Sequence, residues 1–127
     1  MALELNELHP GFAAEVTAGV DMARPPTPAQ LEELESAIDR YPVLVLRAQD
    51  VTNEQHIAFT QPFGELQKST EYLTDKGENR LPGVMTDASN MTKGNGTYGA
   101  GDARRMNNLG SRRWHTDGSF KRVPAKY

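Results

Sequence analysis

Tyr41-Pro42-Val43-Leu44-Val45-Leu46-Arg47 is the stretch on which the fold reading turns. Pro42 cannot continue a helix and pushes Tyr41 toward extended backbone. A short unbroken apolar run such as 43–46 is expected of a strand covered on both faces. On its N-terminal side, Thr27-Pro28-Ala29-Gln30 spells a T-x-x-Q capping box with proline at the first helical position. The spacing of Leu31, Leu34 and Ile38 then predicts a helix from Pro28 to about Tyr41. On its C-terminal side, Thr52 and Gln55 form a second T-x-x-Q box. The helix it opens carries Ile57, Phe59 and Phe63 and is closed by Pro62 and Gly64.

Working outward, Leu3–Leu8 alternates apolar and polar residues and predicts a half-buried strand, with a second over Ala13–Val20. The order strand, strand, helix, strand, helix describes an α+β chain with mixed strands and two helices. Beyond it, residues 64–113 read as a long loop. Only Leu66, Leu73, Leu81, Val84 and Leu109 supply large aliphatic or phenylalanine side chains between Glu65 and Arg113. A short strand around Val84-Met85-Thr86 is the one interruption expected, and loops of this length usually act as lids or binding segments.

Composition narrows the classes. Leu, Ile, Val and Phe make up 24 of 127 residues, so this is a polar domain, or part of one whose apolar partners lie elsewhere. The absence of cysteine excludes disulfides and Cys-based zinc sites. No apolar stretch approaches membrane-spanning length and nothing near Met1 resembles a leader, so a cytoplasmic protein without membrane partners is expected. Net charge is −3, yet residues 102–127 hold seven Lys/Arg against two Asp. That basic stretch reads as a solvated surface or as a field drawing in a small anion. It lacks interleaved aromatics and any reading motif, which argues against nucleic acid.

The candidate chemistry lies in Trp114-His115-Thr116-Asp117-Gly118-Ser119-Phe120. On a strand, residues i and i+2 share a face, so His115 and Asp117 would aim an imidazole and a carboxylate at one point. Those are two members of the 2-His-1-carboxylate face that holds Fe(II) with open positions. The bland reading is a strand-end histidine and a turn aspartate. His9 precedes Pro10, and His56 reads as a partly buried structural residue on the second helix. Gly94-Asn95-Gly96-Thr97-Tyr98-Gly99 matches G-x-G-x-x-G, but without the strand before and helix after that a nucleotide site requires it reads as a loop. Among Arg104, Arg105, Arg112 and Arg113, the last two adjoin the His-Asp pair and are the better candidates to grip a carboxylate or sulfonate.

Several segments taken in order resemble the taurine/phenoxyacetate dioxygenase (TauD/TfdA) family. They are Leu8-His9-Pro10-Gly11-Phe12-Ala13-Ala14-Glu15-Val16, Gly19-Val20-Asp21, Tyr41 to Arg47, Gln55 to Phe59, Phe63-Gly64-Glu65-Leu66 and Trp114 to Phe120. The resemblance implies the N-terminal portion of a double-stranded β-helix (jelly-roll) oxygenase domain over 1–127, with a lid region at 64–113 and a metal-ligand strand at 114–120. It implies Fe(II), with 2-oxoglutarate as cosubstrate, dioxygen, and hydroxylation of a small anionic substrate of the sulfonate, sulfate-ester or aryloxy-carboxylate class. His115 and Asp117 become metal ligands, and Phe120, Ser111 and Arg112 substrate contacts. Ser111 stands where the taurine enzyme has a substrate-touching asparagine, which points away from taurine itself. The distal histidine, the arginine that clamps 2-oxoglutarate and the other cosubstrate contacts are expected downstream of Tyr127. The isolated chain is therefore expected to be inactive and the full-length form a homo-oligomer. The alternative is a non-catalytic fragment or interaction module lacking those groups.

Overall fold

The computed structural model describes residues 2–68, 80–119 and 121–126. The chain divides into two compact units, Met1–Leu66 and Gln67–Tyr127.

The first unit begins with an antiparallel hairpin of β1 (Glu4–His9) and β2 (Ala13–Ala18). Its turn is built by Pro10 followed by Gly11 at φ +60°, with the Phe12 amide donating to the His9 carbonyl at 3.1 Å. Proline presets the first bend and glycine takes the positive φ without steric cost. Helix α1 (Pro28–Arg40) then leads to β3 (Val43–Val45), which pairs parallel to β2. The sheet order is β1-β2-β3 and α1 lies against β3. Helix α2 (Asn53–Thr60) follows and tightens into a 3-10 turn at Gln61–Phe63.

Both helices start as the sequence predicts. The Gln30 amide donates to Thr27 Oγ1 at 3.3 Å while the Thr27 amide donates to Gln30 Oε1 at 2.9 Å. At α2 the reciprocal pair is 3.3 Å from the Gln55 amide to Thr52 Oγ1 and 2.8 Å from the Thr52 amide to Gln55 Oε1. Each box satisfies two amides that a helix start otherwise leaves unpaired. Gln30 has a second role, because its Nε2 donates to the Gly19 carbonyl at 2.6 Å and ties α1 to the end of β2. Gly19 sits at φ +93°, and a Cβ there would stand 2.5 Å from the Ala2 carbonyl oxygen. Tyr41 adopts extended backbone before Pro42, is buried, and donates its hydroxyl to Glu7 Oε2 at 2.9 Å. That hydrogen bond, with burial behind it, holds the phenol above its ordinary pKa.

Among the described residues the core is small and lies wholly in this unit: Ala14, Leu34, Ala37, Tyr41 and Phe59. Two expectations are corrected by it. β1 is exposed along its whole length, not half-buried, because it is an edge strand whose alternation meets no covering layer. β3 is three residues long, with Val43 exposed and Leu44 and Val45 half-buried, because it too lies at a sheet edge.

The second unit is held by turns. The Met85 amide closes on the Pro82 carbonyl at 2.8 Å, so the strand expected at Val84–Thr86 is a bend. Arg80 Nε donates to Asp87 Oδ2 at 2.8 Å, and the Ser89 amide to Asp87 Oδ1 at 3.1 Å. The Asp87 carboxyl is kept below the usual range, first by the Ser89 hydroxyl, with Arg80 adding to it against partial burial. Met91 and Thr97 bridge across a tight loop. Helix α3 (Ala103–Leu109) and a 3-10 turn (Gly110–Arg112) interrupt the region expected to be loop. The strand expected over 114–120 does not form among the described residues. Residues 114–116 have no regular pairing and 117–119 form a turn, for among the described residues no neighbouring strand offers a ladder there.

Candidate metal centre

The site is assembled by short-range contacts at the end of α3. The 3-10 turn closes where the Arg113 amide donates to the Gly110 carbonyl at 3.1 Å, and Arg113 then turns extended at φ −93°, ψ 148°. The Arg113 carbonyl lies 2.7 Å from Nδ1 of His115. Nε2 of the same ring stands 3.0 Å from Oδ1 of Asp117. Gly118, at φ +64°, turns the chain away, and the Lys121 amide returns to its carbonyl at 2.9 Å. The imidazole is about half exposed (48%) and the carboxylate almost fully so (97%), so the pair faces solvent.

A carbonyl oxygen only accepts, so Nδ1 must carry a hydrogen. In the neutral ring Nε2 then presents a lone pair, and the Asp117 carboxylate presents another. Two acceptors at this separation need a positive centre: a proton on Nε2, or a cation bound by both atoms. Accordingly the ring is held above the ordinary histidine pKa, first by the Arg113 carbonyl and then by the Asp117 charge, with slight desolvation opposing.

The donor set fits a divalent metal in part. Two donors each about 2.1 Å from one ion and at right angles to each other stand about 3.0 Å apart. One imidazole and one carboxylate are two parts of the facial triad. Among the described residues no third His, Asp or Glu joins them.

Other candidates are placed as follows. Arg112 and Arg113 are exposed. The side chain of Ser111 and the whole of Phe120 lie outside the described residues. His56 is exposed on α2, where a partly buried position was expected, because the apolar side of that helix is carried by Phe59. His9 Nδ1 lies 3.3 Å from the Pro10 carbonyl, with the ring edge-on to Phe12. Gly94–Gly99 forms a tight polar turn: the Thr92 amide donates to the Gly96 carbonyl and the Asn95 amide to the Thr92 carbonyl. Such a turn is not the strand-to-helix crossing of a dinucleotide loop.

The model of the taurine catabolism dioxygenase TauD, TfdA family matches residues 4–127. This chain belongs to the TauD/TfdA family.

Its TauD/TfdA relatives include the alpha-ketoglutarate-dependent 2,4-dichlorophenoxyacetate dioxygenase of Cupriavidus pinatubonensis, 31% identical across 100% of this chain and 44% of the relative. Pentalenolactone F synthase of Streptomyces arenae is 35% identical over 85% of this chain and 31% of its own length. Among solved structures, AAD-2 in complex with Mn(II) and N-oxalylglycine superposes with a TM-score of 0.84 at 35% identity, covering 98% of this chain and 43% of that one. The chain thus spans less than half the length of the relatives it matches. N-oxalylglycine is a 2-oxoglutarate analogue, so the metal and cosubstrate expected from the sequence agree with these family members.

Residue types alone missed one contact of the candidate pair, the Arg113 carbonyl on His115 Nδ1. No sequence signal points to it, since every residue carries a carbonyl and only the preceding turn aims this one.

Proposed function

We propose that this chain supplies His115 and Asp117 as two iron ligands of an Fe(II)- and 2-oxoglutarate-dependent dioxygenase that hydroxylates a small organic anion. Aryloxy-carboxylates are the first substrate class to test, with sulfonates and sulfate esters next. The observation that carries the reading is the 3.0 Å approach of Nε2 and Oδ1 in a chain of this family. The 2,4-dichlorophenoxyacetate relatives support the substrate class. The jelly-roll architecture, the third ligand and the 2-oxoglutarate clamp belong to the same proposal and are assigned to residues outside this chain.

When bound, iron and 2-oxoglutarate supply the oxidation of a carbon–hydrogen bond by dioxygen. The residues present here have simpler tasks. His115 and Asp117 bring neutral nitrogen and anionic oxygen to one point, a mixed set that suits a divalent ion of intermediate softness. Arg112 and Arg113 add positive charge beside them, which favours an anionic substrate and opposes a cationic one.

The test uses the 127-residue chain and a longer protein that contains it. With Fe(II), 2-oxoglutarate and 2,4-dichlorophenoxyacetate, the longer protein releases succinate, His115→Ala abolishes that release, and the 127-residue chain releases none. Full turnover by the His115→Ala protein removes His115 from the ligand set. Succinate release by the short chain refutes the need for outside residues.

A further inference from the structure

We infer that the backbone of Arg113 is the positioning element of this centre, its carbonyl fixing the tautomer of His115 so that Nε2 is the atom offered to the metal. The inference rests on the metal reading above and adds a specific device to it.

The peptide is held at both ends. Its amide is spent on the Gly110 carbonyl at 3.1 Å, closing the 3-10 turn, and its carbonyl accepts from His115 Nδ1 at 2.7 Å. Without the second contact, a neutral His115 could give a hydrogen from Nε2 to Asp117 and make an ordinary histidine–aspartate hydrogen bond. That outcome needs Nδ1 to be bare, and the Arg113 carbonyl forbids it. The same 3.0 Å approach of Nε2 and Oδ1 is thereby converted from a satisfied polar pair into two lone pairs seeking a cation. An imidazole whose second nitrogen donates to a carbonyl is oriented and made a better ligand. The arginine side chain has no part in this, so the effect of changing residue 113 depends on the backbone the new residue allows.

That separation of backbone from side chain makes the experiment. Arg113→Pro deletes the amide bonded to Gly110 and disfavours the helical conformation of Arg112 before it, so the turn that aims the carbonyl is lost. Arg113→Ala keeps both backbone groups. The chain has three histidines, so imidazole 15N spectra are simple, and His115→Ala assigns the signal of interest. Spectra are recorded at a pH where the rings are neutral, followed by titration with Mn(II) read from paramagnetic broadening at His115.

The expected result is an Nδ1–H tautomer in the wild type and in Arg113→Ala, with Mn(II) bound by Arg113→Ala at least as tightly as by the wild type, since that change removes a neighbouring positive charge and keeps the backbone. Arg113→Pro shifts the tautomer toward Nε2–H and weakens Mn(II) by about 10- to 100-fold, the usual consequence of losing an orienting partner. An Nε2–H wild type, or an Arg113→Pro protein matching the wild type in both readouts, overturns the inference. An Nδ1–H wild type whose His115 signals are untouched by Mn(II) supports the tautomer assignment and sinks the metal reading instead. Should Arg113→Pro fail to fold, the wild-type tautomer alone decides.

Discussion

The two units of this chain reach order by different means. The first has a core, two helices opened by the same T-x-x-Q device, and long-range ties such as Tyr41 to Glu7 and Leu3 to Glu33. In the second, no residue of described burial is buried, and shape comes from turns, α3, the Arg80–Asp87–Ser89 contacts and the exposed hydrogen bonds that Gln67 makes with the Val123 carbonyl at 3.4 Å and with Lys121 Nζ. The candidate metal pair sits in the second. Its geometry is set by groups two to five residues away, and Trp114 beside it is fully exposed. Local hydrogen bonds can aim two side chains without a core, but they cannot exclude water from them. The candidate pair is oriented locally, and the proposed chemistry would need further residues to enclose it.

Proton competition gives the largest contrast. Metal needs the neutral ring, and the His115 pKa lies above the ordinary histidine value, so Mn(II) binding should hold at high pH and fall as pH drops through that raised pKa. Below it the loss is about tenfold per pH unit for one competing proton. A pH-independent affinity would detach the metal from His115. The first unit's melting should not follow that titration.

Leu34→Ala removes one of the few buried side chains, at 2% exposure, and should cost about 2–3 kcal/mol in chemical denaturation. Trp114→Ala, on the second unit, should stay within about 0.5 kcal/mol despite the larger side chain lost. Equal effects would erase the distinction between the units. Gly19→Ala should cost more than about 1 kcal/mol, since the position needs positive φ and a Cβ would strike the Ala2 backbone. Thr27→Ala removes one helix cap and should cost about 1 kcal/mol, read as a drop in the same denaturation midpoint. An unchanged midpoint would show that Gln30 and Gly19 alone hold the start of α1.

Much of the first unit was legible because its signals are local. A hydroxyl three residues before a glutamine, or a proline after a helical run, acts through its immediate neighbours. The errors there concern burial: Leu3–Leu8 alternates correctly for a strand, but nothing in those residues says whether a second layer lies over them. The second unit was harder. In Ala103-Arg104-Arg105-Met106-Asn107-Asn108-Leu109 only Met106 and Leu109 repeat at helical spacing, too little to announce α3. The 91–97 loop is shaped by backbone bonds that residue type does not encode.

By itself the sequence determined where both capped helices of the first unit begin, that Pro42 ends α1, and that His115 and Asp117 stand two residues apart, for all of these depend on covalent spacing. Tertiary structure decided which strand faces are covered, and that Nδ1 is spent on Arg113 while Nε2 meets Asp117. Burial and hydrogen-bond direction are properties of neighbours in space, and a linear order of residues does not contain them.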